Sequence, residues 1–88
     1  MKDTIKEIKD LLKNGNFSLG TEESIKAAKK GTIKKAFISE NCPEEISTEL
    51  KKYAEINKFE VVSLDLSNKD LGTVAKKPFS ISIISAIK

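Results

Sequence analysis

Four segments with apolar residues at helical spacing alternate with four short apolar runs along this chain, and that alternation constrains its fold more than anything else. Asp3 is placed to cap a first helix carrying Ile5, Ile8, Leu11 and Leu12, which Asn14-Gly15-Asn16 ends. Phe17-Ser18-Leu19 reads as a short strand. Thr21 is a good N-cap for the second helix, and Glu22 and Glu23 fall in its first turn, where the helix dipole favours acid. That helix should bury Ile25 and Ala28 and stop at Gly31. Ile33 to Ser39 is the second strand. Asn41 can cap a third helix with Pro43 just inside its start, and its apolar stripe is Ile46, Leu50, Tyr53, Ala54 and, at the end, Ile56. Phe59 to Leu64 is the third strand. Ser67 caps a short fourth helix, from Asn68 to about Ala75, that buries Leu71 and Val74. Ile81 to Ile87 is too apolar for an exposed edge and reads as a buried strand. Such an order predicts helices on both faces of a sheet. The expected fold is a three-layer α/β/α sandwich with a four-stranded mixed sheet, in one domain over residues 1–88.

Composition removes several function classes. A chain this short buries only about 60–65% of its extended surface, which leaves little room for an enclosed active site. Its 39% hydrophobic and 33% charged residues suit a folded soluble domain. No apolar run approaches the ~20 residues of a membrane span, and Met1-Lys2-Asp3-Thr4 leads into a charged stretch without the apolar core of a signal peptide. The expectation is a cytoplasmic protein without a membrane partner. The one cysteine, Cys42, excludes an internal disulfide and suits a reducing compartment. The absence of histidine removes the commonest general base and metal ligand. One Cys without His makes no zinc site of the usual kind, and Cys42 has no base to activate it. There is no Walker-type phosphate loop and no GxGxxG. No enzyme, metal or cofactor is expected.

The net charge is +3, and every basic residue is lysine. Nucleic-acid binders more often use arginine, whose fork and plane suit phosphates and bases. The charge is unevenly spread. Lys26, Lys29, Lys30, Lys34 and Lys35 lie between Glu23 and Glu40 without an acid. Glu40 to Glu60 holds six acids and three lysines, and from Lys69 onward there are four lysines and one acid. Any single lysine reads most simply as part of a solvated face. Two basic segments flanking an acidic middle can nonetheless converge on one polyanion.

In a sheet of this class, ligands meet the loops at strand ends. Three junctions stand out: Leu19-Gly20-Thr21, Glu40-Asn41-Cys42-Pro43 and Lys76-Lys77-Pro78-Phe79-Ser80. Gly20 permits close approach of the backbone to a ligand. Backbone N–H groups and the Asn41 amide can read base edges and phosphates, lysines neutralise phosphates, and an exposed aromatic stacks on a splayed base. Phe79 has two readings. If Ile81, Ile83 and Ile84 supply the core, it is free in the loop; otherwise it packs inside. Tyr53 has helical spacing with Leu50 and Ile46 and reads as core.

The motifs Leu19 to Lys26, Asn41 to Pro43, Glu49 to Ala54, and Leu71 to Phe79, in this order and spacing, resemble a known family. The chain is similar from Ile5 to Ile87 to the large-subunit ribosomal proteins called thirty-e, of archaea and eukaryotes. These belong to the seven-Ae superfamily of kink-turn RNA-binding proteins. The resemblance implies the same sandwich fold. It implies contact with a sharply bent RNA that has tandem sheared G·A pairs and a flipped-out nucleotide. On that basis Gly20 and Thr21 lie against the G·A pairs, Glu23 accepts from guanine donors, and Lys26 meets a base edge or phosphate. Asn41 hydrogen-bonds a base near the bend. Phe79 packs on bases, with Lys77 and Pro78 shaping its loop. Glu23 equally serves as a complement to the helix dipole. One departure is Glu22, where the family carries Lys or Asn; an acid there faces the RNA's negative field. Ile46 also replaces an Arg found in some relatives.

The expected function is that of a ribosomal structural protein that binds a kink-turn in large-subunit rRNA and stabilises its bent form. Its expected partners are that rRNA and neighbouring ribosomal proteins, with a monomer when free. The rivals are a seven-Ae-type paralogue in an RNA-processing particle and a protein-interaction module of the same fold.

Overall fold

The structure is a computed structural model that describes residues 2–88. Its elements run α1 (Lys2–Asn14), β1 (Phe17–Leu19), α2 (Thr21–Lys30), β2 (Ile33–Ile38), α3 (Glu44–Asn57), β3 (Glu60–Ser63), α4 (Asn68–Val74) and β4 (Ile83–Ile87). The strands form one sheet in the order β1-β4-β2-β3. β4 is antiparallel to both neighbours, while β2 and β3 are parallel and joined by the α3 crossover that such a pair requires. The sheet is therefore mixed.

Strand periodicity divides the core in two. On β2, Ala36 and Ile38 face a cluster with Ala27 and Ala28 of α2, Leu50 of α3, Phe59 and Ile83. Phe37, between them, faces the opposite cluster with Ile8 of α1, Leu71 of α4, Leu64, Ile81 and Ile84. Val61 and Val62 of β3 split in the same way. α2 and α3 thus cover one face and α1 and α4 the other, which makes three layers. β4 is apolar except for Ser85 because it is an inner strand with both faces covered.

Several local expectations change. β4 pairs from Ile83 rather than Ile81. Ile81 is still buried, but its N–H goes to the Asn68 carbonyl at 2.9 Å instead of a strand neighbour. β3 is limited to Glu60–Ser63. α1 starts at Lys2, so Asp3 lies inside its first turn and not at its cap. The cap position of α2 is held by Gly20, not Thr21, and that of α3 by Pro43, not Asn41; among the described residues neither helix start has a side-chain cap. Ser67 does cap α4, its Oγ accepting from the Asp70 N–H at 3.1 Å.

On α2 the fully buried position beside Ala28 is Ser24, with Ile25 half-buried against the same cluster. Ser24 tolerates burial because the Ser85 hydroxyl of β4 donates to its Oγ at 2.8 Å. On α3, Ile56 is 63% exposed. It lies two residues past Ala54, about 200° around the helix, and so leaves the inward stripe. Asn57 takes the inward place and donates to the Ala28 carbonyl at 2.8 Å.

Candidate nucleic-acid interface

The three loops singled out in the sequence leave the sheet at one end. Leu19 of β1 pairs with Ile84, and Ile38 of β2 pairs with Ile83, so the ends of β1 and β2 flank the start of β4. Hydrogen bonds tie the loops to that frame. The Gly20 N–H donates to the Ile83 carbonyl at 2.9 Å, and the Ser39 N–H to the Ser82 carbonyl at 2.8 Å. The Glu40 N–H reaches the Leu66 carbonyl at 2.8 Å. Adjacent strands lie about 4.8 Å apart, so the three loops form one rim.

The first wall begins at Gly20. Its φ of 92° and ψ of 167° belong to a region that is essentially glycine-only. Among the described residues, no atom outside its two chain neighbours lies within 4 Å of where a β-carbon would stand, so the requirement is conformational and the space beside the backbone is open. The next turn carries half-buried Thr21 and exposed Glu22, Glu23 and Lys26. Thr21, Glu22, Ile25, Lys26 and Lys29 line a shallow hollow of about 340 Å³. Glu22 thus stands beside two lysines on the surface expected to meet RNA.

Asn41 has a role that spacing did not reveal. Its Oδ1 accepts from the Asn68 backbone N–H at 2.8 Å, and its Nδ2 donates to the Asn68 side-chain oxygen at 3.1 Å. The amide orientation follows from the backbone donor, which needs an oxygen opposite it. The second loop is thereby pinned to the first turn of α4. An Asn amide has two donors and two acceptor lone pairs, so one of each is left for a ligand. Cys42 next to it is half-buried, and burial pushes its thiol above the usual cysteine value. A thiol so shifted is a poor nucleophile at neutral pH.

The third wall is the loop after α4. Phe79 is 56% exposed, which rules out the core reading; Ile81, Ile83 and Ile84 fill the interior instead. Lys77, Pro78 and Ser80 are exposed around it. With Phe79 they line a hollow of about 340 Å³ whose other side is Lys69 and Thr73 of α4. The sequence reasoning missed Lys69, Thr73 and Asn68 as neighbours of this site. The signal was the i, i+4 spacing of Lys69 and Thr73, which puts both on one face of a helix. Each of Gly20, Thr21, Glu23, Lys26, Asn41, Lys77, Pro78 and Phe79 lies in one of these three loops or in the helix turns that follow them. The arrangement offers open backbone donors, an amide, an aromatic face and lysines, which is the chemistry of phosphate and base contact.

Comparison with known proteins identifies the family. The model of the family described as "Ribosomal protein L7Ae/L30e/S12e/Gadd45 family" matches residues 2–88. The large ribosomal subunit protein eL30 of Archaeoglobus fulgidus is 31% identical over 78 residues, covering 89% of this chain and 86% of the relative. That of Aeropyrum pernix is 32% identical over 82 residues, covering 93% and 82%. That of Trypanosoma brucei brucei is 33% identical over 84 residues, covering 94% and 80%. All three are named as ribosomal proteins and none as an enzyme. Among solved structures, a Giardia lamblia 15.5kD RNA binding protein superposes with a TM-score of 0.84 at 20% identity, covering 97% of this chain and 71% of that one. A Bacillus halodurans protein of unknown function superposes with a TM-score of 0.83 at 14% identity, covering 96% and 83%. At these identities the two structures speak for the α/β fold alone. By the family match along residues 2–88 and the identity to several eL30 proteins, the chain belongs to the L7Ae/L30e/S12e/Gadd45 family of ribosomal proteins.

Proposed function

We propose that this protein is a structural component of the large ribosomal subunit that binds a kink-turn in rRNA and stabilises its bent form. The observation that carries the reading is the exposed ring of Phe79, set beside Lys69 and Lys77 on the rim that also holds Gly20 and Asn41. Lysines draw the rim to phosphate through a field that salt screens. The Phe79 face stacks on an unstacked base, while Gly20 admits the RNA backbone close to the protein main chain. Asn41 offers its remaining donor and acceptor to a base edge. Glu23 and Lys26, on the first turns of α2, meet the RNA at the G·A pairs. A surface that fits only the bent form shifts the RNA toward that form by mass action. The free protein is a monomer, and its place is the cytoplasmic ribosome, beside neighbouring ribosomal proteins.

The test compares a kink-turn RNA with the same RNA in which the G·A pairs are replaced. Strong preference for the first, with an increase in its kinked fraction, is the expected result. Equal affinity for both, or binding to neither at low salt, overturns the reading. Co-sedimentation with large subunits separates a ribosomal protein from a paralogue in another particle.

A further inference from the structure

Gly72 occupies the middle of α4, a helix of seven residues, and is buried there. Glycine is the poorest helix former after proline, so an interior glycine in so short a helix calls for a reason. Its backbone angles give none, because its φ is not positive. Space does. A β-carbon at position 72 would penetrate the Phe79 carbonyl oxygen and stand 3.2 Å from the Phe79 carbonyl carbon and 3.5 Å from the Ser80 Cα. These are backbone atoms, which cannot swing aside as a side-chain tip can. Gly20 is the opposite case, with an unusual conformation and, among the described residues, empty space beside it.

The loop from Lys76 to Ser80 is strapped to α4 on either side of this contact. The Lys77 N–H donates to the Gly72 carbonyl at 2.9 Å, and the Ile81 N–H to the Asn68 carbonyl at 2.9 Å. Lys76 turns the chain at a φ of 58°. Between the straps the Phe79–Ser80 backbone rests directly on Gly72, and the Phe79 ring is left exposed at the rim. Asn68 also holds Asn41, so α4 fixes two of the three loops relative to each other.

We propose that Gly72 is a positioning residue for RNA recognition: its missing β-carbon sets the height of the Phe79 loop above α4 and thereby aligns the Phe79 ring with the Gly20 and Asn41 walls. This rests on the RNA-binding reading above. Any larger residue lifts the Phe79–Ser80 peptide away from the helix, and recognition sites tolerate only about 0.5 Å of such displacement.

The experiment is a double-mutant cycle with a kink-turn RNA as probe. Binding of the unaltered protein, Gly72→Ala, Phe79→Ala and the double variant is titrated well below the melting temperature of each. Phe79→Ala is expected to weaken binding about 5- to 150-fold, as loss of a stacking contact does. Gly72→Ala should weaken it comparably, and the double variant should be no weaker than the worse single one, because both act through the same ring. Multiplying losses, or full binding by Gly72→Ala while Phe79→Ala is weakened, overturns the proposal. Full binding by Phe79→Ala instead overturns the RNA reading of this loop, and the proposal with it. Should Gly72→Ala not fold, amide exchange in the unaltered free protein decides: the Lys77 amide is expected to be protected, and exchange at the rate of an unstructured chain overturns the proposal.

Discussion

α2 and α3 both run from the loop end of the sheet to its opposite end, and their two termini are treated differently. At the opposite end the chain satisfies its own helix. Gly31 adopts a left-handed conformation, with a φ of 72°, and its N–H reaches the Ala28 carbonyl at 3.2 Å. The Thr32 N–H and hydroxyl both donate to the Ala27 carbonyl, and Asn57 donates to that of Ala28. Lys58 and Phe59 close α3 similarly, with the Phe59 N–H on the Ala54 carbonyl at 3.1 Å. At the loop end, among the described residues, neither helix start has a side-chain cap, and the cap positions hold Gly20 and Pro43. Donors there remain open to an outside acceptor. One end is finished by the fold, and the other is suited to a ligand.

This contrast can be broken by substitutions that act at one end only. The largest effect expected is Phe79→Ala, which should weaken binding to a kink-turn RNA by ~1–3 kcal/mol while leaving the melting temperature unchanged. A large fall in melting temperature would place Phe79 among the structural residues. Asn57→Ala works at the other end. It removes the bond to the Ala28 carbonyl and should cost about 1 kcal/mol of stability, or about 4–8 °C in melting temperature for a domain of this size. RNA affinity measured at low temperature should stay the same.

Glu22→Lys separates the two effects within one residue. Removing an acid from the first turn of α2 lowers stability by about 0.3–1 kcal/mol through the helix dipole. The same change should raise RNA affinity on the order of a few-fold at low salt, with the gain shrinking as salt rises. A fall in affinity would show that Glu22 accepts from the RNA rather than repelling it. The smallest effect is at Lys35, whose Nζ lies 2.8 Å from Glu7 Oε1 and 5.4 Å from the Phe37 ring centre. The hydrogen bond from Lys35 to Glu7 holds its pKa above the usual lysine value despite partial desolvation. A raised lysine pKa stabilises the fold at neutral pH. That stabilisation disappears as pH climbs past the usual lysine range and through the folded value. For an exposed pair it amounts to about 0.2–1 kcal/mol, so Lys35→Ala should lower stability by that much at neutral pH and remove the corresponding fall at alkaline pH.

Much of this was legible in the chain. Helical and strand periods are local properties of side chains, so Ile8, Leu50, Leu71, Phe37 and Ile84 marked the core and the layer order. Differences fell on element ends: the helix starts, the start of β4, the bounds of β3 and Ile56 at the end of α3. Thr21 and Asn41 have the right chemistry for caps, but Gly20, one residue before Thr21, and Pro43, two residues after Asn41, hold the cap positions. The candidate site residues were legible as residues of suitable chemistry in the loops and the helix turns that follow them. Lys69 and Thr73 were not, because only the folding of the 76–80 loop over α4 brings them beside Phe79.

By itself the sequence determined the order of elements, the two apolar faces of the sheet, and the absence of histidine-based chemistry. It did so because burial patterns and residue types need no partner to be read. Only the tertiary structure decided that Asn41 clamps Asn68, that Ser24 meets Ser85, and that Gly72 lies beneath the Phe79 backbone. These contacts join residues 7 to 61 positions apart, and no local pattern encodes which distant atoms will share a space. The Leu19-Gly20-Thr21 turn was visible from the start as a place where a ligand can approach. Its meeting with Asn41 and Phe79 on one rim follows from the β1-β4-β2 strand order, a property of the whole sheet.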